Sequence, residues 1–262
     1  MALEDQILVD LHRAAALASR PGIAVPSRDL EATSREIGRQ GTKDAVSRLV
    51  RAGRVQSVRR DLVILPDATG RMTVGLPELI KVVVPSHHLI TGGRALEEHR
   101  LTNQHFFSIV VLVPNPVSGF IYRGQKAVFL TTPEERIWGW QEDGPHFAVP
   151  ERAIVDAVSH PRYGVSLPMA TEALTSASLR DPDFLERLAS AARRYGSTAT
   201  ARRLGLLVTR LFGRDAAEPF HELIGESRTP VPLRPGGQSK GEFDHEWRVI
   251  LNASVSSAEV IV

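Results

Sequence analysis

Eight cations stand between residues 35 and 60: Arg35, Arg39, Lys43, Arg48, Arg51, Arg54, Arg59 and Arg60. Only Glu36 and Asp44 oppose them in that stretch. Such a cluster can neutralise phosphates and release the counterions that condense on a nucleic acid. Only Lys43, Lys81, Lys126 and Lys240 are lysines, so guanidinium groups carry nearly all of the positive charge. The planar guanidinium fork suits phosphate oxygens and the major-groove edge of guanine. An arginine-rich proteome accounts for the Arg/Lys ratio but not for the clustering. The whole chain carries a net charge of only +2, so the excess is local.

Catalytic chemistry finds less support. The chain has no cysteine, which excludes disulfides, thiolate zinc sites and cysteine nucleophiles. His221-Glu-Leu-Ile-Gly225 begins like the zinc-protease helix but lacks the second histidine one turn on. His87, His88, Glu97, Glu98 and His99 are metal-ligating types with nothing in their spacing to fix a geometry. Asp244-His245-Glu246 reads as a polar turn. Gly236-Gly-Gln-Ser-Lys-Gly241 lacks phosphate-loop spacing, and no Gly-x-Ser-x-Gly elbow occurs. Trp138 and Trp140 read as core and rim. The expectation is a protein that is not an enzyme and needs no cofactor or metal.

The elements around the cationic cluster are legible. Leu3, Ile7, Leu8, Leu11, Ala14, Ala15 and Ala18 have the spacing of an amphipathic helix, which Pro21-Gly22 breaks. Ser27 can cap a short helix beginning at Arg28, and after Gly38–Gly41 Thr42 can cap a third helix ending near Ala52. On that helix Ala45, Val46, Leu49 and Val50 share one face, while Lys43, Ser47, Arg48 and Arg51 project from the other. Val55, Val58, Leu62 and Ile64 predict two short strands with a basic tip at Arg59–Asp61. Three helices and a hairpin make the winged helix-turn-helix plan, whose third helix enters the major groove. On this reading Lys43, Ser47, Arg48 and Arg51 face bases. Ser27, Arg28 and Thr42 meet DNA at the helix starts, and Arg54, Arg59 and Arg60 meet it from the wing.

Beyond residue 72 the pattern is mixed. Leu79–Val84, Phe106–Val113, Ala127–Thr131, Phe147–Val149 and Glu246–Leu251 read as strands. Ile90–His99, Thr132–Trp138 and Pro150–Val158 read as helices, and Leu167–Leu223 as a helical block. The expected fold class is α/β in the α+β sense: a winged helix-turn-helix domain over 1–72, then a larger mixed α/β domain over 73–262 with a helical carboxy-terminal block. Arg193, Arg194, Arg202, Arg203, Arg210 and Arg214 follow one another with no acid between them. They are read as a solvated face, with a second nucleic-acid surface as the alternative. The longest apolar runs, such as Ile109–Val113, are too short to span a bilayer, and the opening Met1-Ala-Leu-Glu-Asp is acidic. A cytoplasmic protein with no membrane partner is expected.

Several segments resemble, in order, the antitoxins of the AbiE type (AbiEi). They are Thr91–Gln104, Thr132-Pro-Glu-Glu-Arg-Ile-Trp-Gly139, Val149–Pro161, Ala192–Leu206 and Glu242–Val249. The aromatic residue usual near the glycine of the first segment is absent here. The resemblance implies a winged-helix amino terminus that binds double-stranded DNA at promoter inverted repeats and represses its own operon, with two protomers on each repeat. It further implies a neighbouring nucleotidyltransferase-like toxin, which the larger domain helps to counteract without a stable complex being required. The competing expectation is a stand-alone winged-helix regulator whose larger domain senses a ligand.

Overall fold

The chain was analysed as a computed structural model, which describes residues 2–142 and 144–253. It begins with α1 (Leu3–Leu17), β1 (Ile23–Ala24), α2 (Pro26–Asp29), α3 (Glu31–Arg51), β2 (Gln56–Arg59), β3 (Leu62–Ile64) and α4 (Leu76–Val83). There follow β4 (Leu89–Thr91), α5 (Gly93–Glu98), β5 (Ser108–Val113), β6 (Phe120–Tyr122), β7 (Gln125–Thr131) and α6 (Pro150–Ser159). The remainder is α7 (Leu167–Arg180), α8 (Phe184–Tyr195), α9 (Thr198–Phe212), α10 (Arg214–His221), β8 (Val231–Pro232), β9 (Glu242–Asp244) and β10 (Val249–Leu251). Helices are joined with three small, mainly antiparallel sheets, so the fold class is α+β.

Two units emerge. The first comprises the chain up to Ser86 together with Gly119–Lys126, and the second His87–Ser118 with the chain from Ala127 on. The first unit therefore runs past residue 72 and takes in a piece from far along the sequence.

In the first unit the apolar stripe of α1 packs on α3. Ile7, Leu11 and Ala15 meet Ala45 and Leu49, with Val63 and Leu65 completing the cluster. The strands form a sheet in the order β1-β3-β2, with Ile23 opposite Ile64 and a register shift between Ser57 and Arg59. β1, which the sequence reading missed, is short and entirely buried. The expected second helix stands as α2, opening at Pro26. The stretch before the expected third helix is itself helical from Glu31 and is broken at Gly38, whose φ of 79° and ψ of 152° suit glycine alone. The helix that follows the break therefore starts near Arg39, not at Thr42. α4 stands where Leu79–Val84 reads as a strand. Pro77 opens it, and Leu76, Leu79 and Ile80 bury one helical face that outweighs the β-branched Val82-Val83-Val84.

In the second unit β4 pairs antiparallel with β5, Leu89 opposite Leu112, and β7 lies beyond β5. β10 runs between β8 and β9, parallel to the first and antiparallel to the second. α6 is the centre: α5, α7, α8 and α9 all pack on it, and every residue from Glu151 to Val158 is buried. Its Arg152 and Asp156 form an ion pair at 2.9 Å, both side chains essentially inaccessible. The Thr91 hydroxyl donates to Asp156 at 2.7 Å, and Arg152 also donates to the Arg136 carbonyl at 3.0 Å. Burial pushes the Asp156 carboxyl above the usual range while Arg152 pulls it back. Thr132–Trp138 contains only a single helical turn at Glu134–Arg136, and Phe147–Val149 makes isolated bridges instead of a strand. Gly205 on α9 sits against Trp247, where a Cβ would come within 2.1 Å of the indole ring, so only glycine allows this approach. None of the described helices is long and apolar enough to cross a membrane.

Candidate nucleic-acid interface

The segment of α3 after Gly38 buries Thr42, Ala45 and Leu49 at i, i+3 and i+7, so its opposite face must be wet. Gln40, Lys43, Asp44, Ser47 and Arg51 occupy that face and are exposed. Their bonds are local: Gln40 donates to Asp44 at 2.9 Å, and Arg51 reaches back to the Ser47 carbonyl at 3.4 Å. Gln40 and Arg39 lie outside the sequence reading of this helix, which began it at Thr42. The left-handed freedom of Gly38 is the signal that places its start earlier.

The remaining expected contacts divide by what they touch. Thr42 is only 4% exposed, donates to the Gly38 carbonyl at 3.0 Å and receives the Ser34 hydroxyl at 3.1 Å. It is a rivet inside the helix and offers no surface. Arg48 turns to α1 and pairs with Glu4 at 2.6 Å, and Arg54 pairs with Asp5 at 2.8 Å. Hydrogen bonds from these guanidiniums hold the Glu4 and Asp5 carboxyls below their ordinary values. Ser27 is taken up by Asp61, whose carboxylate accepts the Ser27 amide at 2.8 Å and also its hydroxyl. Asp61, in the β2–β3 turn with φ of 60°, thereby caps α2 from outside the helix. Arg59 lies over the Phe120 ring at 5.7 Å and is half-buried. Lys43, Ser47, Arg51 and Arg60 stay exposed, as does Arg28, which lies 3.8 Å from the Asp29 carboxylate. The structure thus brings together a free polar face on α3 and a basic turn. It diverts Arg48, Arg54, Arg59, Ser27 and Thr42 to contacts within the unit.

The arginine run of the second unit divides: Arg193, Arg194, Arg210 and Arg214 are exposed, as a solvated face requires, whereas Arg202 and Arg203 are buried. Arg202 is 1% exposed and donates to the carbonyls of Ile224 and Thr229, each at 2.9 Å, and to that of Ser227. Arg203, 7% exposed, donates to the Pro232 carbonyl at 2.8 Å and the Ser159 carbonyl at 3.3 Å. Burial pulls the Arg203 guanidinium down to about 10. Arg202 holds the loop between α10 and β8 to α9, and Arg203 ties α9 to β8 and to the end of α6. Arg193 pairs with Glu222, and Arg194 lies over Trp138.

Three of the histidines gather in a ring stack about Trp140, which His87 and His146 both flank. His87 meets Glu134 at 2.9 Å, His99 meets the Ala148 carbonyl at 2.7 Å, and His88 stacks on His146. His221 stacks on Trp247 with ring centroids 4.4 Å apart. Among the described residues no group of three or more His, Cys, Asp or Glu side chains is placed to hold a metal ion.

No family model and no curated protein matches the sequence. Among solved structures the chain is similar to the RV2827C protein from Mycobacterium tuberculosis, with a TM-score of 0.58 and 12% sequence identity. The likeness covers 91% of this chain and 89% of that one. At such low identity it speaks for the fold alone.

Proposed function

We propose that the chain is a DNA-binding antitoxin that represses its own promoter, and that its first unit works as a winged helix. One observation carries the DNA reading. The second segment of α3 presents Lys43, Ser47 and Arg51, beside the hydrogen-bonded pair Gln40–Asp44, on a face that packing does not use. Ammonium, hydroxyl and guanidinium groups at helical spacing are the donors and acceptors that read base edges in a major groove. The order helix, strand, two helices and hairpin supplies the frame that would set this face into the groove. Arg48 leaves the reading face and Arg54 the wing, because Glu4 and Asp5 already neutralise them.

The antitoxin part rests on the resemblance to the AbiE type, with a nucleotidyltransferase-like toxin as the object of neutralisation and the cytoplasm as the place of action. Two measurements test the whole. Gel-shift titration of the full-length chain against the duplex upstream of its own coding sequence should show sequence-specific binding. Binding should be lost or strongly weakened in Lys43→Ala/Arg51→Ala; equal affinity for a scrambled duplex would refute the reading face. Co-expression with the neighbouring toxin gene should restore growth. Absence of such a gene, or failure to rescue, would remove the antitoxin role and leave the DNA role standing.

A further inference from the structure

We propose that the turn between β6 and β7 is a second DNA-backbone contact, set on the first unit beside the β2–β3 hairpin. The inference rests on the reading of that unit as DNA-binding and extends it to residues outside the expected domain.

Gly119–Lys126 belongs to the first unit, although the chain on either side of it does not. β6 lies beside β2, with Phe120 under the Arg59 guanidinium. Tyr122 is buried and its hydroxyl donates to the Val74 carbonyl at 3.2 Å, and Arg123 donates to the Met72 carbonyl. The Tyr122 bond fixes the base of the hairpin, and Arg123, in the turn itself, gives one donor to Met72 while its side chain stays exposed. Arg123 and Gly124 have φ of 48° and 77°, the two left-handed positions of a tight hairpin turn. A Cβ built on Gly124 would meet nothing within 4 Å, so the turn opens on solvent. Arg123 and Lys126 are exposed, as are Arg60 and Arg71 on the neighbouring turns of the same unit.

The balance of charge makes this surface a match for phosphate. Gly119–Lys126 holds two cations and no acid. Nearby acids are already engaged: Asp61 receives the Ser27 amide and hydroxyl, and Asp67 accepts the Thr69 hydroxyl and the Thr69 and Arg71 amides. The aromatic rings of β6 are committed as well, Phe120 to Arg59 and Tyr122 to the interior. Charge without an open stacking platform suits the regular phosphates of a duplex better than splayed single-stranded bases. Interactions of this kind position a protein without reading sequence.

The experiment is fluorescence anisotropy of the full-length protein over a salt series. The probes are the upstream duplex, a scrambled duplex and an RNA hairpin of similar length. Lys126→Gln and Arg123→Gln/Lys126→Gln should weaken both DNA duplexes by the same several-fold factor. The log–log salt slope should become shallower by about 0.9 for each phosphate that the variant no longer neutralises. Lys126→Gln changes an exposed side chain, so it keeps the test valid if the double variant melts early. Wild-type affinity and slope in both variants, alongside weakened binding in Arg51→Ala, would overturn the hairpin contact and spare the α3 reading. Failure of the wild-type chain to bind either duplex would overturn both. Weakening confined to the RNA hairpin would overturn the DNA assignment of this surface.

Discussion

At the scale of single residues, arginine serves two opposite ends in this chain. Arg51 keeps its guanidinium outside, whereas Arg202 spends its own on backbone carbonyls inside. Replacing Arg51 with alanine should weaken specific DNA binding by about 1–3 kcal/mol, the worth of a good base contact. The same change at Arg48 should cost less, since Glu4 already holds that side chain. Titration of both variants against one duplex checks the ranking, and equal losses would contradict it. Arg202→Ala would strand the carbonyls of Ile224, Ser227 and Thr229 without their donor. A loss of about 1–3 kcal/mol is expected, read as a lower denaturant midpoint. Lysine should not rescue it, because a single ammonium cannot span the fork that Arg202 uses. The two kinds of arginine look alike in a count of charges. What separates them is context: Arg202 and Arg203 are flanked by Thr200, Ala201, Leu204, Gly205, Leu206, Leu207 and Val208, all buried, so no side of that helix was left for solvent. That pattern was present in the sequence, but reading the cations as a run obscured it.

At the scale of elements, the ion pairs Glu4–Arg48 and Asp5–Arg54 fasten the start of α1 to the end of α3 and to the residues just after it. Both carboxyls titrate below their ordinary values, 4.5 for Glu4 and 3.8 for Asp5, so they are more acidic folded than unfolded. Their stabilising contribution is complete above those values and fades as pH falls through the folded ones. Glu4→Gln/Asp5→Asn should therefore flatten the acid limb of a melting-temperature profile below about pH 4.5. The same variant leaves Arg48 and Arg54 without counter-charges, so non-specific duplex affinity should rise and its salt dependence steepen. An unchanged acid limb with unchanged salt dependence would show that the pairs matter to neither. Amphipathic periodicity made α1, the β2–β3 hairpin and most of the helical block legible. It failed at α4, where proline and an i, i+3, i+4 stripe overruled valine-rich composition, and at β1 and β6, too short to carry any period. Pairing across the chain, such as Ser27 with Asp61, leaves no local trace in a sequence.

At the scale of the whole molecule, a change of pattern along the chain was legible, but the border of the first unit was not. Composition changes near residue 72, yet the first unit continues to Ser86 and closes with Gly119–Lys126. A fragment ending at residue 72 loses α4 with its buried Leu76, Leu79 and Ile80, which a fragment ending at residue 86 keeps. It should melt at a lower temperature and less cooperatively than a fragment ending at residue 86. Attaching residues 119–126 to the longer fragment through a flexible linker should raise the midpoint again. Equal melting of all three by circular dichroism would argue that the distant piece adds nothing to the stability of the first unit.

That distant piece also sets a timetable. A nascent chain leaves the ribosome from its amino terminus, and early modules ordinarily fold while later ones are still being made. Here the amino-terminal unit cannot be finished until Lys126 has emerged, some forty residues after Ser86. Until that moment Arg59 has no ring to lie against and Val74 no hydroxyl to receive, so the first module made is completed only when translation is well into the second.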